Sequence, residues 1–152
     1  MNHQLTHRKA TQADLPHIVG LLRDDELGQS REDLKEDDFC YRRAFELIDR
    51  DPNQYLMVVE MDGRIVGTCH LTLMPSLTFK GSMRMHIEAV RVHSEYRGQK
   101  IGEWMMKEAI CYAREQGASI VQLTTNKVRV NAQKFYQRLG FEPSHDGMKL
   151  FI

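Results

Sequence analysis

The stretch Val92-His-Ser-Glu-Tyr-Arg97-Gly98-Gln-Lys100-Ile-Gly102-Glu-Trp-Met-Met106 decides how this chain folds. Its first residue ends a run of strand formers, its middle is a short polar turn, and its end begins an amphipathic helix. A glycine-bearing turn that opens a helix leaves backbone N–H groups without intrahelical partners, with the positive end of the helix dipole behind them. Such a junction binds anions, a pyrophosphate above all. Arg97 and Lys100 add two full positive charges. The turn is neither a Walker loop, which needs G-x-x-x-x-G-K-[ST], nor the G-x-G-x-x-G dinucleotide fingerprint. On spacing alone it is equally a plain strand-to-helix turn whose glycines serve geometry.

Working outward, the apolar positions Trp104, Met105, Ala109, Tyr112 and Ala113 recur at helical spacing from Ile101, and Gly117 suits a C-terminal cap. Upstream, Arg84 to Val92 reads as a strand, and downstream so does Ser119 to Thr125. Arg129 to Leu139 reads as a helix stopped by Gly140, with a strand or pair of strands expected from Phe141 onward. Tyr55 to Glu60 and Arg64 to Leu73 form a hairpin around Met61-Asp62-Gly63. Pro75 to Gly81 is a loop. Gln4 to Lys9 predicts a first strand. Thr11 and Asp14 precede a helix with Leu15, Ile18, Val19 and Leu22 on one face. Arg31 to Asp49 is a charged helical stretch, with Leu34, Phe39, Ala44, Leu47 and Ile48 as its partial apolar face, after a polar loop from Asp24 to Ser30. This order predicts an α/β fold, with a mixed central sheet and helices on both faces.

At 152 residues the expectation is one domain, 1–152. Lysine plus arginine and aspartate plus glutamate number 21 each, so the formal net charge is zero, which argues against a dedicated nucleic-acid binder. No apolar run approaches the ~20 residues of a membrane span. Cys40, Cys69 and Cys111 are widely spaced and outside any C-x-x-C pattern, which favours a reducing, cytoplasmic setting. The seven histidines form no H-E-x-x-H or comparable cluster, so no metal is expected.

A second segment gives the turn its context: Asn126-Lys-Val-Arg129-Val-Asn131-Ala132-Gln-Lys-Phe135-Tyr136-Gln-Arg-Leu139-Gly140-Phe141. Together the two segments resemble the acetyl-CoA signatures of the GCN5-related N-acetyltransferase (GNAT) superfamily. Arg97 and Gly102 match its Q/R-x-x-G-x-G/A pyrophosphate motif, with Lys100 in place of the middle glycine. Ala132, Phe135-Tyr136 and Gly140-Phe141 match its Ala-x-x-Phe-Tyr-x-x-x-Gly-Phe segment. Thr125-Asn126, Arg129, Ser144-His145 and the pattern Leu73-Met-Pro-Ser-Leu-Thr78 further resemble the aminoalkylphosphonate N-acetyltransferase-like bacterial subgroup.

The resemblance implies acetyl-CoA as co-substrate. The amides of Gly98, Gln99, Lys100, Ile101 and Gly102, with Arg97, would hold the pyrophosphate. The strand backbone at Val90 and Val92 would pair with the pantetheine amides. An amide near Ala89 or Val90 would polarise the thioester carbonyl. Asn126 and Asn131, in the second signature, belong to the same cofactor-binding set. Tyr136 is the expected general acid for the departing thiolate, set against packing as a core aromatic. Glu88, in an otherwise apolar strand, is the expected general base for the amine. It competes with a solvated glutamate paired to Arg84 or Arg91, and with His86 as base. Period-2 alternation puts Glu88 on one face with His86 and Val90.

The function so implied is acetyl transfer to a primary amine of a small molecule by direct ternary-complex attack, and the subgroup resemblance admits an acceptor that carries an anionic group. The other readings are acetylation of a protein or peptide amine, a non-catalytic acyl-CoA-binding module and a generic phosphate-binding domain. A homodimer is the prior for small enzymes of this kind.

Overall fold

The computed structural model describes residues 4–24 and 38–152. Within them, five strands form one sheet in the order β1-β2-β3-β4-β5: β1 (Leu5–Lys9), β2 (Gln54–Met61), β3 (Arg64–Met74), β4 (Met83–Val92) and β5 (Ala118–Leu123). The first four are antiparallel to their neighbours, and β5 is parallel to β4. The helices longer than four residues are α1 (Leu15–Arg23), α2 (Asp38–Asp49), α3 (Ile101–Glu115) and α4 (Val130–Arg138), and the expected loop Pro75 to Gly81 contains one short helical turn, Thr78–Gly81, in which Phe79 and Lys80 have positive φ. The expected mixed sheet with helices on both faces is therefore present. The expected loop Asp24 to Ser30 beyond Asp24, and the part of the charged stretch from Arg31 to residue 37, Leu34 included, lie outside the described residues.

Alternation along the strands builds the two layers. Met57, Val59, Cys69, Leu71, Met85 and Ile87 point to one face and bury against Ile101, Met105, Met106, Ala109 and Ala113 of α3. Each buried Val, Leu, Ile or Met side chain among them contributes about 1.5–3 kcal/mol. Leu56 and Val58 point to the other face and meet Ile18 of α1 and Phe45 of α2. In α2 the buried residue is Phe45, with Ile48 half-buried, whereas Phe39, Ala44 and Leu47 are exposed. The apolar side chains expected on that face therefore contribute only in part, and Phe45 at i−3 from Ile48 sets its orientation.

The entry to α1 is fixed electrostatically. Arg8 Nη1 and Nη2 donate to the Asp14 carboxylate at 2.7 and 2.9 Å, and Asp14 also accepts from the Thr11 amide at 2.7 Å. These bonds hold the Asp14 carboxyl at about 2.

The terminal strand expected from Phe141 onward does not form. Phe141 seats on the core edge-on to Tyr136, with ring centroids 6.0 Å apart. The chain then turns, the Ser144 amide donating to the Glu142 carbonyl at 2.8 Å, and Pro143 has no N–H to give a ladder. Among the described residues no helix is long and apolar enough to cross a membrane.

Candidate functional site

β4 and β5 begin as a ladder and then part. Their pairing runs from Met83 with Ala118 to Ile87 with Leu123 and stops there. From Glu88 to Val92, β4 keeps β3 on one side and meets no strand on the other among the described residues. The parting coincides with a bulge. Ala89 has φ of +54°, a region that a residue with a Cβ rarely enters, and the β3 register shifts between Thr68 and His70.

The bulge changes which way the strand faces. Ile87, Val90 and Val92 all pack against the α3-side core, so the odd-even count slips by one at Ala89. Val90 therefore does not share a face with Glu88, contrary to strict alternation. Its backbone is offered to the gap instead.

At the end of β4 the chain makes a 3-10 turn, Ser94–Tyr96, and enters α3 through Arg97–Lys100. Gly98 has φ of +81° and Lys100 φ of +61°, ψ of 20°. Lys100 thus takes the left-handed conformation itself, at a cost of roughly 1–2 kcal/mol. The first helical hydrogen bond across the junction is Trp104 N–H to the Lys100 carbonyl at 3.1 Å. The amides of Ile101, Gly102 and Glu103 meet no protein acceptor among the described residues. A Cβ on Gly102 would sit at ordinary contact distance, 3.5 Å from Phe135 and 3.6 Å from Val92. Packing alone does not demand glycine there; a bare backbone keeps the amide approachable. Arg97 Nη2 donates to the Asp24 carbonyl at 3.1 Å, tying the turn to the end of α1.

The second signature lies just past β5. The Asn126 side chain accepts from the Val128 amide at 3.1 Å, shaping the turn into α4. Asn131 is exposed on the first turn of α4. Tyr136 lies on the α3 side of the sheet, edge-on to Phe135 at 5.2 Å. Burial pushes its phenol above the usual 10.0, against the opposing pull of Arg91 and Arg129. It therefore holds its proton at neutral pH.

Glu88 points to the other face, into an open pocket of about 460 Å³ lined by Leu47, Gln54, His70, Thr72, His86 and Glu88 among others. His70, opposite Glu88 in the β3–β4 ladder, has Nδ1 3.6 Å from Glu88 Oε1. Its Nε2 is 2.6 Å from Gln54 Oε1, which also accepts from Thr72 at 2.8 Å. Gln54 Nε2 donates to Asp51, so its oxygen faces His70 and the proton of neutral His70 sits on Nε2. Burial lowers the pKa of His70, with Glu88 raising it and His86 lowering it. Two acceptors, the Nδ1 lone pair and a carboxylate, then converge on one pocket, an arrangement that suits an N–H donor such as an ammonium. His86 Nδ1 is buried without a partner among the described residues. His70 is not among the residues the sequence singles out; the available signal was its place in β3 between Cys69 and Leu71, two residues from Thr72.

Glu88 and Tyr136 thus flank the parted strands from opposite faces rather than touching. Among the described residues no three His, Cys, Asp or Glu side chains gather as a metal ion requires.

The family model for the acetyltransferase (GNAT) family matches residues 18–141. The chain belongs to the GNAT acetyltransferase family. It is 32% identical to the aminoalkylphosphonate N-acetyltransferase of Salmonella typhimurium over 70% of this chain and 68% of that one. It is 33% identical to the glucosamine 6-phosphate N-acetyltransferase of Trypanosoma brucei brucei over 58% of each. The crystal structure of a protein described as a transcriptional regulator from Bacillus halodurans C-125 is 43% identical, with a TM-score of 0.94 over 98% of this chain and 100% of that one. This GNAT chain is by family an acetyl-CoA-dependent N-acetyltransferase.

Proposed function

We propose that this GNAT protein acetylates the primary amine of a small molecule by direct attack within a ternary complex. The observation that carries the reading is the pocket beside the β4–β5 gap, where Glu88 and neutral His70 present two acceptors on one face and protonated Tyr136 stands on the other.

Acetyl-CoA supplies an activated acyl carbonyl and a thiolate leaving group. The amides from Gly98 to Gly102, with Gln99, Lys100 and Ile101 between them, hold its pyrophosphate, aided by the charges of Arg97 and Lys100. The exposed backbone at Val90 and Val92 pairs with peptide-like groups, and an amide at Ala89 or Val90 polarises a carbonyl. Asn126, in the turn before α4, and Asn131, on its first turn, complete the proposed cofactor-binding set. Glu88 accepts the amine proton, an ammonium having no lone pair for attack. His70, oriented by Gln54, presents its Nδ1 lone pair to the same pocket as a second acceptor for the amine. Tyr136 keeps a proton available for a leaving anion on its side of the gap.

An anionic group on the acceptor would meet Arg84, two residues before His86 on β4. Its guanidinium donates to Thr78 and lies 5.9 Å from the Phe79 ring centroid, while its Nε is buried with no partner among the described residues. This supports a small amine carrying an acid over a protein N-terminus. Cys69 and Cys111, both unpaired thiols, fit a reducing cytoplasm. A regulatory, non-catalytic use of the acyl-CoA site is the second reading, prompted by the description of the Bacillus halodurans relative. Equal numbers of basic and acidic residues do not favour nucleic-acid binding within it.

The test is thiol release from acetyl-CoA across small amines, amino acids and aminophosphonates, alongside thermal shift with CoA, ATP and NAD. Amine-dependent release and stabilisation by CoA alone are expected. Stabilisation by CoA without turnover of any amine would favour the second reading, and no response to CoA would defeat both.

A further inference from the structure

The pocket beside Glu88 is longer than one amine needs. On β3 it is lined by His70, Thr72 and Met74, and on β4 by His86 and Glu88. These belong to one regular stretch of ladder, in which His70 faces Glu88, Thr72 faces His86 and Met74 faces Arg84. Arg84, His86 and Glu88 share the side of β4 turned away from buried Met85 and Ile87. About 13 Å of strand separates Arg84 from Glu88, at the rise of an extended chain.

The two ends differ in what they offer. At one, Glu88 and His70 present acceptors. At the other, Arg84 Nε and His86 Nδ1 are both buried without a partner among the described residues. Buried polar atoms in native proteins are paired in the large majority, so two orphans at successive positions of one face mark a missing acceptor. The Arg84 guanidinium is already held in place, donating to Thr78 Oγ1 and lying 5.9 Å from the Phe79 ring centroid. Between the ends the lining is apolar or already bonded. Leu47, Ile48 and Met74 are apolar, Thr72 donates to Gln54, and Asp51 accepts from the Asn53 amide at 2.9 Å.

We infer that the acceptor is an ω-amino acid, with amine and acid at opposite ends of an apolar chain, and that Arg84 and His86 select its length by holding the acid between them. The inference rests on the acetyl-transfer reading and adds the length and polarity of the acceptor to it. An acid has the oxygens to bridge a guanidinium and an imidazole N–H at once. With the amine at Glu88, an acid between His86 and Arg84 lies roughly 6–10 Å away, given the strand spacing. Standard bond lengths put nitrogen and carboxyl carbon about 2.5 Å apart in an α-amino acid and about 7.5 Å apart in extended 6-aminohexanoate. An α-amino acid therefore reaches one end of the pocket and never both.

The test is kcat/KM for thiol release from acetyl-CoA along glycine, β-alanine, 4-aminobutyrate and 6-aminohexanoate, with hexylamine as the acid-free match. In the native protein 6-aminohexanoate should exceed both glycine and hexylamine by about ten- to a hundredfold, the range of hydrogen bonds to a charged group, chiefly through KM. Arg84→Met should bring the ratio of 6-aminohexanoate to hexylamine close to one, and His86→Leu should lower it severalfold. Each ratio is taken within one protein, so a loss of active fraction cancels. Turnover with no preference for the acid-bearing chain, or with glycine as the best acceptor, overturns the proposal and leaves the acetyl-transfer reading standing. A native ratio retained in Arg84→Met also overturns it. No turnover of any amine overturns both. If Arg84→Met does not fold, the ratio in His86→Leu decides: a fall sustains the proposal, and a native value overturns it.

Discussion

His70 Nδ1 stands 3.6 Å from Glu88 Oε1 across the β3–β4 ladder, while its Nε2 is fastened to Gln54 at 2.6 Å. Gln54 fixes the tautomer, while burial keeps the ring neutral against the opposing pull of the Glu88 carboxylate. Burial lowers its pKa below the usual 6.5, so it is deprotonated throughout the neutral range and becomes charged only as pH falls further. The acid limb of kcat/KM should have its midpoint below 6.5. His70→Ala should lower kcat about tenfold and displace that limb. An identical pH profile in the variant would remove His70 from the account.

Tyr136 has the opposite requirement, since an acid must keep its proton. Its phenol is raised above 10.0 by burial, so no alkaline loss from this group is expected below pH 10. Tyr136→Phe should reduce kcat by ~10²-fold with little change in KM for acetyl-CoA, because the ring packing on Phe135 and Phe141 is retained. A rise in KM at unchanged kcat would make Tyr136 a packing residue.

The α3 turn separates strain from binding. Lys100→Gly removes a side chain from a left-handed residue and should stabilise the fold by about 1 kcal/mol, while the lost charge weakens CoA binding severalfold. Gly102→Ala meets only ordinary contacts, so thermal stability should hold, and CoA affinity, read by calorimetry, should fall. Unchanged affinity in Gly102→Ala would mean that no ligand approaches that amide closely.

Most of the fold was legible because its strands are runs of β-forming residues bounded by turn residues, such as Met61-Asp62-Gly63 between β2 and β3. β2, β3 and β4 each appear within a residue or two of their expected ends, and Ile101 to Ala113 shows its buried stripe in sequence. Two features were not legible. The bulge at Ala89 leaves no mark in residue type, since alanine gives no hint of positive φ, and it moves Val90 off the face of Glu88. The stretch after Phe141 carries a strand's alternation but lacks a partner within the described chain, so local pattern promised a ladder that tertiary contacts do not supply. In the candidate site, the Arg97–Gly102 turn and Tyr136 stood out through the resemblance of their two segments to a known family, not through spacing alone. His70 did not, because its importance comes from Gln54, sixteen residues earlier, brought opposite by the β2–β3 hairpin.

Stability at low pH should report the Arg8–Asp14 bonds. Asp14 has its pKa lowered from 3.8 to about 2, so its contribution is present in full above 3.8 and is lost as pH falls through 2. Asp14→Asn should cost about 2 kcal/mol at neutral pH, or ~5 °C in Tm, and much less near pH 2. Equal destabilisation at both pH values in thermal melts would contradict this.

The central claim is that Glu88 takes the amine's proton. Its most direct test is kcat/KM for the best amine in Glu88→Gln, measured beside CoA affinity. A drop of ~10²–10⁴-fold with CoA binding intact is the predicted result. Native-like turnover in Glu88→Gln would contradict it.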